Sequence, residues 1–383
     1  MSIRSSLFGR AALPAAAGGR PFGAAPGPAP QTPAGPAKVL FFSHDAKLGD
    51  AVVNTAFVAG LHRSAPQCVI HATVAGATAG FWRRDSRVQT LWPVQKPTFG
   101  DIIRLGLALR REKYDYIVTW HKMRSEKNRL LLWLARPGAV IDLRDFNRGA
   151  VRHKIESCRE ALHQMHALGQ AGPLGRSGRK ARAAALQTGA ARAAACSDVG
   201  CRDLAYDVGQ AQRCSQLDSA LPAGRELIVL NLFAGDAERN IGVADACRIL
   251  RGLRGADPEA LLCLVCTDAT APLAQQVLAQ AGVGAQLVNC EQSLERLIDL
   301  CARASLIITP DTSLVHIASA FDTPVIGIYQ NNGVKAVQWG PRSRLHGMVL
   351  SASADSIAGF SVDDLLGQAA ALLRLARAGS TGI

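Results

Sequence analysis

Three short segments of this chain set ionisable side chains just past an apolar run, where a parallel sheet hands groups to a ligand. In SHDAKLGDAVVNTAF, residues 43–57, Asp50 follows Gly49 near the start of a helix, with His44, Asp45 and Lys47 crowding the same loop. Gly49 allows a tight turn. Asp50 then serves either as a helix N-cap, worth about 1 kcal/mol, or as a carboxylate able to take a proton from an attacking hydroxyl. In ITPDTSLVHIASAFDTPVIGIY, residues 308–329, an apolar strand ends at Pro310, and Asp311, Thr312 and Ser313 open a helix. The unsatisfied amides and positive dipole end of that helix make an anion site without a glycine-rich motif. His316 lies one turn beyond Thr312 on the same face, either aimed into a cleft or packed as a core histidine. In NLFAGDAERN, residues 231–240, Gly235 permits close backbone approach, and Arg239 offers a planar, permanently charged fork suited to phosphate oxygens. Taken alone, Arg239 reads as a surface arginine.

These segments need a scaffold that brings them together. Short apolar or β-branched runs at 38–42, 68–74, 87–94, 114–120 and 139–143 alternate with segments of helical spacing such as DIIRLGLALRREK and NRLLLWLAR. The rhythm restarts at 226–235, 260–267, 285–290, 305–310 and 324–330. Strand and helix in alternation predict two doubly wound parallel sheets, an α/β chain whose ligand lies beyond the carboxyl ends of the strands. The expected organisation is a disordered leader over 1–37, an N-terminal domain over 38–167, a basic insertion and linker over 168–225, a C-terminal domain over 226–360 and a closing amphipathic helix over 361–383. The leader holds 23 Ala, Gly or Pro residues and no acid, too little to bury a core.

Composition removes several function classes. With 383 residues, 48% hydrophobic and 19% charged, the chain can bury a sizeable core, and it has no apolar run of spanning length. It has no GxGxxG after a strand, no GxxxxGK[ST] and no GxSxG, which argues against Rossmann dehydrogenases, P-loop nucleotidases and α/β-hydrolases. The net charge of +13 is lopsided: residues 226–383 balance at −4, leaving +17 for residues 1–225. A basic first part suits an anionic partner such as a phosphorylated lipid surface. Nucleic acid is not expected, because aromatics are only 5% and do not interleave with the basic residues. Ten cysteines, mostly in apolar runs, suit a reducing cytoplasm rather than a disulfide scaffold. Cys263 and Cys266 form a CxxC, yet on a strand they point to opposite faces and read as core. Cys196, Cys201 and Cys214 are spaced too irregularly for zinc to be the first choice.

KLGDAVVNT, NLFAGDAERN and PDTSLVHIASAFDTPVIGIY, in that order, resemble the signature of the family 9 glycosyltransferases, which include the heptosyltransferases of lipopolysaccharide core assembly. The likeness covers roughly residues 38–166 and 204–365. It implies a GT-B fold with an N-terminal acceptor domain and a C-terminal nucleotide-sugar donor domain, and neither metal nor cofactor. By the resemblance, Asp50 matches the catalytic base, Arg239 stands where the family usually has a phosphate-contacting lysine, and Asp311 matches the carboxylate that holds the donor sugar. Thr312, Ser313 and His316 lie on the helix that receives the diphosphate, Ser313 standing where the family commonly has glycine. Lys47 and His44 fall on the acceptor side, while Thr267 and Asp268 are placed near the nucleoside by strand position alone. The implied activity is inverting transfer of a sugar, by family default heptose from an adenosine-diphosphate donor, to a hydroxyl of a glycolipid or glycan. It would take place at the inner face of the cytoplasmic membrane, with the enzyme peripheral to it. Two other readings share the fold: a sugar-nucleotide epimerase or hydrolase, and a non-catalytic nucleotide-sugar-binding protein.

Overall fold

The computed structural model describes residues 37–42, 47–76, 78–119, 125–142, 153–156, 158, 225–291 and 294–380. The expected leader, almost all of the basic insertion, His44, Asp45 and the cysteines at 196, 201 and 214 lie outside them.

The first sheet has five parallel strands in the order β3-β2-β1-β4-β5: β1 Lys38–Phe42, β2 Val69–Val74, β3 Val88–Pro93, β4 Tyr116–Thr119 and β5 Ala139–Asp142. The second has six, in the order β11-β10-β9-β6-β7-β8, all parallel: β6 Leu227–Asn231, β7 Leu261–Cys266, β8 Gln286–Asn289, β9 Leu306–Pro310, β10 Val325–Tyr329 and β11 His346–Leu350. Every strand read from the sequence is present. β6, β9 and β10 are buried at every position, as continuous apolar runs covered on both faces should be. β11 escaped the sequence reading because HGMVL is short, contains glycine and is mostly solvent-facing at the sheet edge. Each strand order reverses once, between β1 and β4 in the first sheet and between β6 and β9 in the second, and a doubly wound sheet opens a crevice at such a point.

Helix α1 (Leu48–Ser64) follows β1 and is buried continuously from Ala51 to Leu61. Its sequence is apolar all round, and such a helix must be covered on every side. The first sheet covers one side. The other is covered by the second half of the molecule, so that one apolar core runs from Phe41 and Phe57 through Val118 to Leu300, Ile317 and Val325. α2 (Thr78–Arg83) joins the same layer. α3 (Phe99–Glu112) and α4 (Glu126–Ala135) cover the outer face of the first sheet around Leu40, Ile117 and Leu131. On the second sheet, α5 (Val243–Ala256), α6 (Ala271–Ala281) and the C-terminal α10 (Val362–Ser380) form the outer layer. α7 (Leu294–Arg303) and α8 (Ser313–Ala320) form the inner one. A short α9 (Lys335–Trp339) follows β10. Cys263 and Cys266 do lie in opposite cores, as strand alternation requires. Among the described residues no helix is long and apolar enough to cross a membrane.

Candidate functional site

A cavity of about 730 Å³ opens between the halves, walled by the loop leading into α1 and by the loops after β6, β7, β9 and β10. It sits at the reversal point of the second sheet, which is why segments far apart in sequence converge there.

From the first half come Lys47, Gly49 and Asp50. Lys47 is the N-cap of α1 and makes no side-chain cap; its carbonyl accepts the amide of Ala51 at 3.1 Å. Asp50 is therefore not the cap that a sequence reading allows. It occupies the third helical position, in the first turn, where the dipole favours a carboxylate. Gly49 also differs from expectation. It lies within the helix rather than in a turn, and a Cβ there would stand 3.4 Å from the Cα of Ser313 and from Cδ2 of His316. The small residue thus lets the start of α1 press against the start of α8.

From the second half, Thr312 caps α8, its hydroxyl accepting the amide of Leu314 at 3.3 Å. That hydroxyl also lies 2.8 Å from the Thr309 hydroxyl. Asn231 at the end of β6 ties the two loops together: its amide donates to the Phe233 carbonyl at 2.9 Å and to the Thr309 hydroxyl at 3.0 Å. Ala234 donates to the side chain of Asn240 at 2.8 Å. This lattice of bonds holds both loops without a glycine-rich sequence. A Cβ on Gly235 would meet only Nη2 of Arg239, at 4.0 Å, so the packing of the protein does not demand glycine there.

Arg239, on a 3₁₀ turn at Ala237–Arg239, is not a detached surface side chain. It donates through Nη1 to the Asp311 carbonyl oxygen at 2.6 Å and through Nη2 to the Asp236 carboxylate at 2.6 Å. Nη1 is also 3.6 Å from the Asp311 carboxylate. Asp311 itself is buried. Burial raises its pKa, and Arg239, then Lys335 and Lys47, pull it back down. Three cations on three loops thus converge electrostatically on one carboxylate beside the cavity.

His316 lines the cavity but is 3% exposed, with its ring 5.6 Å from that of Trp339. Burial first, and the nearby His153 second, push its pKa down to about 3. A neutral imidazole can donate or accept a hydrogen bond but cannot serve as a cation for phosphate. Both sequence alternatives therefore apply to His316, which faces the cavity and is a buried histidine too. His153 is likewise buried. Its Nε2–H donates to the Gly340 carbonyl at 3.0 Å, its Nδ1 accepts the Ile155 amide at 3.2 Å, and burial lowers its pKa to about 4.

Thr267 reaches the cavity. Asp268 turns instead to Asn289, whose amide it accepts, and it is not part of the lining. Sequence reasoning missed three residues here. Asn231 lay inside a quoted segment and was passed over. Lys335 and Trp339 sit on the loop and short helix after β10, and a lysine shortly beyond the carboxyl end of an apolar run was the available signal for the first. Among the described residues there is no cluster of three or more His, Cys, Asp or Glu side chains able to hold a metal ion.

Residues 260–364 match the family model described as glycosyltransferase family 9 (heptosyltransferase). No curated protein matches the chain significantly. A family 9 glycosyltransferase from Veillonella parvula DSM 2008 superimposes with a TM-score of 0.64 at 16% identity, covering 88% of this chain and 97% of the other. The E. coli ADP-heptose lipopolysaccharide heptosyltransferase II gives 0.64 at 16% identity, over 88% and 99%. E. coli heptosyltransferase WaaC, solved with ADP, gives 0.60 at 16%, over 88% and 99%. At such identities these likenesses speak to the fold, which is GT-B.

Proposed function

We propose that this chain, whose residues 260–364 match the family 9 model, is a glycosyltransferase that moves a heptose from ADP-heptose to a hydroxyl of a lipopolysaccharide core or related anionic glycan, with inversion and without a metal ion. One observation carries this reading: a single cavity has a helix-borne carboxylate, Asp50, on one wall and a helix N-terminus flanked by Arg239 on the other. The solved WaaC holds ADP, the leaving group this reading requires.

In the proposed reaction Asp50 accepts the proton of the acceptor hydroxyl as that oxygen attacks the anomeric carbon of the donor. The bond from that carbon to the diphosphate breaks on the opposite side, which inverts the configuration, and ADP departs. Charge building on the diphosphate is met by the amides at the start of α8 and by Arg239 and Lys335. Preorganised donors of this type commonly supply several kcal/mol of transition-state stabilisation. Lys47, at the start of α1, would contact an anionic acceptor. Asp311 would orient the donor sugar.

The test is a binding screen of ADP, UDP and GDP and their sugars against the full chain, followed by transfer assays with and without chelator. Selective ADP binding, chelator-resistant transfer and an inverted anomer in the product are expected. Activity abolished by chelator and restored by Mg or Mn would overturn the metal-independent step. Free or epimerised sugar formed without acceptor would favour the epimerase or hydrolase reading.

A further inference from the structure

Away from the cavity, the outer face of α3 and α4 carries an unusual mixture. The inner side of α3 is conventional: Ile102 and Leu109 are buried against the first sheet, and Gly106 lies so close to Leu134 of α4 that a Cβ there would stand 2.6 Å from the leucine Cβ. The outer side is not. Phe99, Ile103 and Leu107, spaced four apart and so aligned in one stripe, are 52%, 43% and 43% exposed, and Trp133 on α4 is 65% exposed. Val140 on the edge strand β5 is exposed as well, and points to the same side because its neighbour Ile141 faces the inner core. An exposed apolar stripe of this kind, with further exposed apolar side chains on the same layer, marks a binding face.

Cations stand among these side chains rather than around them. Arg110 continues the stripe and Arg111 adjoins it, and neither has a carboxylate partner among the described residues. Lys127 Nζ lies 5.5 Å from the Phe99 ring centre, and the Arg136 guanidinium 6.0 Å from that of Trp133. The two acids of α3 are engaged elsewhere, Asp101 by Arg104 and Glu112 by Lys38. A protein partner favours an apolar centre depleted of charge other than arginine, with lysines at its rim. Phe, Trp and aliphatic side chains interspersed with long cations suit the headgroup region of an anionic bilayer, where apolar groups enter the acyl boundary and cations stay with the phosphates.

Placement fits the same partner. In a parallel sheet every strand-to-helix junction lies at the carboxyl end, so the first turns of α3 and α4, with Phe99 and Lys127, lie at the end of the sheet that also carries Asp50. We propose that the outer face of α3 and α4 is the surface on which this protein sits on an anionic lipid bilayer, with Phe99, Ile103, Leu107 and Trp133 entering the interface and Arg110 and Arg111 meeting lipid phosphates. The inference rests on the glycolipid-acceptor reading above, whose partner it localises to named residues.

The experiment is co-sedimentation of the full chain with phosphatidylcholine vesicles containing or lacking phosphatidylglycerol, alongside ADP binding measured on the same samples. The pairs Ile103→Asp with Leu107→Asp, and Arg110→Glu with Arg111→Glu, alter only exposed side chains. Each pair should lower partitioning onto phosphatidylglycerol vesicles by roughly tenfold or more while leaving ADP binding unchanged. Partitioning that is unchanged in both pairs, or that is equal on neutral vesicles, overturns the proposal. So does a wild-type protein that ignores vesicles but forms a dimer dissolved by these variants, because a second copy would then be the occupant. Vesicle binding lost with the variants, in a protein that binds no nucleotide, would sink the transfer reading and uphold this one.

Discussion

The start of α1 and the start of α8 are the same structural device used twice. Each follows a strand at the reversal point of its sheet, each opens on the cavity, and the two touch at Gly49 and Ser313. Their side chains divide the labour. At α8 the Thr312 hydroxyl takes one amide, and the neighbouring Asp311 and Arg239 are bonded to each other, with the dipole end of the helix beside them. At α1 the cap residue is a lysine whose side chain takes no amide, and the carboxylate stands three residues further on, in the first turn. A strand-to-helix junction therefore has no fixed chemistry. It receives an anion or presents one according to which side chains occupy its first four positions.

The sharpest way to break this division is at Asp50. Asp50→Asn keeps size and shape and removes the proton acceptor, so turnover should fall by about 10²- to 10⁴-fold while donor affinity by calorimetry stays the same. Equal losses in turnover and donor binding would mean that the first junction also belongs to the donor site. On the other side, Arg239→Ala should cost roughly 10- to 100-fold in nucleotide-diphosphate affinity, with Arg239→Lys recovering part of it. Donor affinity unaltered in Arg239→Ala would remove this arginine from phosphate binding.

Acid tests the contact between the junctions. His316 and His153 titrate near 6.5 when unfolded but near 3 and 4 in the folded chain, so the unfolded state binds more protons below 6.5. Stability is full above pH 6.5 and declines as pH falls toward 4, by about 1.4 kcal/mol per unit for each histidine at most. Urea unfolding at several pH values reads the slope, and His316→Gln should reduce it to the share of His153. A flat profile in the wild type would mean that these rings are not held neutral. The smallest effect is expected for Thr312→Ala, about 1 kcal/mol of stability from the lost cap, largely restored by Thr312→Ser in the same measurement.

Much of this architecture was legible because buried parallel strands leave continuous apolar runs, as in LIVLN, LIITP and VIGIY. The segments around Asp50, Arg239 and Asp311 were legible because doubly wound sheets gather post-strand loops at one edge. Other features depended on distance in three dimensions. Gly49 looked like a turn residue, and only the approach of α8 reveals how little room a side chain would have there. Arg239 looked detachable until its bonds to Asp311 and Asp236 were placed. Lys335 follows NNGV with no periodic signal, and its relevance appears only in three dimensions, where it lines the cavity and acts on a buried carboxylate 24 positions earlier in the chain. Trp133 and Ile103 were read as parts of helices, but a sequence pattern does not say which side of a helix the rest of the protein leaves uncovered.

The apolar core that passes from the first sheet through α1 to α7 and α8 has a consequence for cooperativity. Cutting the chain between the two sheets would strip one fragment of the cover on α1 and leave the other with a bare inner helical layer. Each fragment would lose burial on which its own folding free energy depends. The halves are thus separate in topology but joined in thermodynamics, and melting one withdraws support from the other.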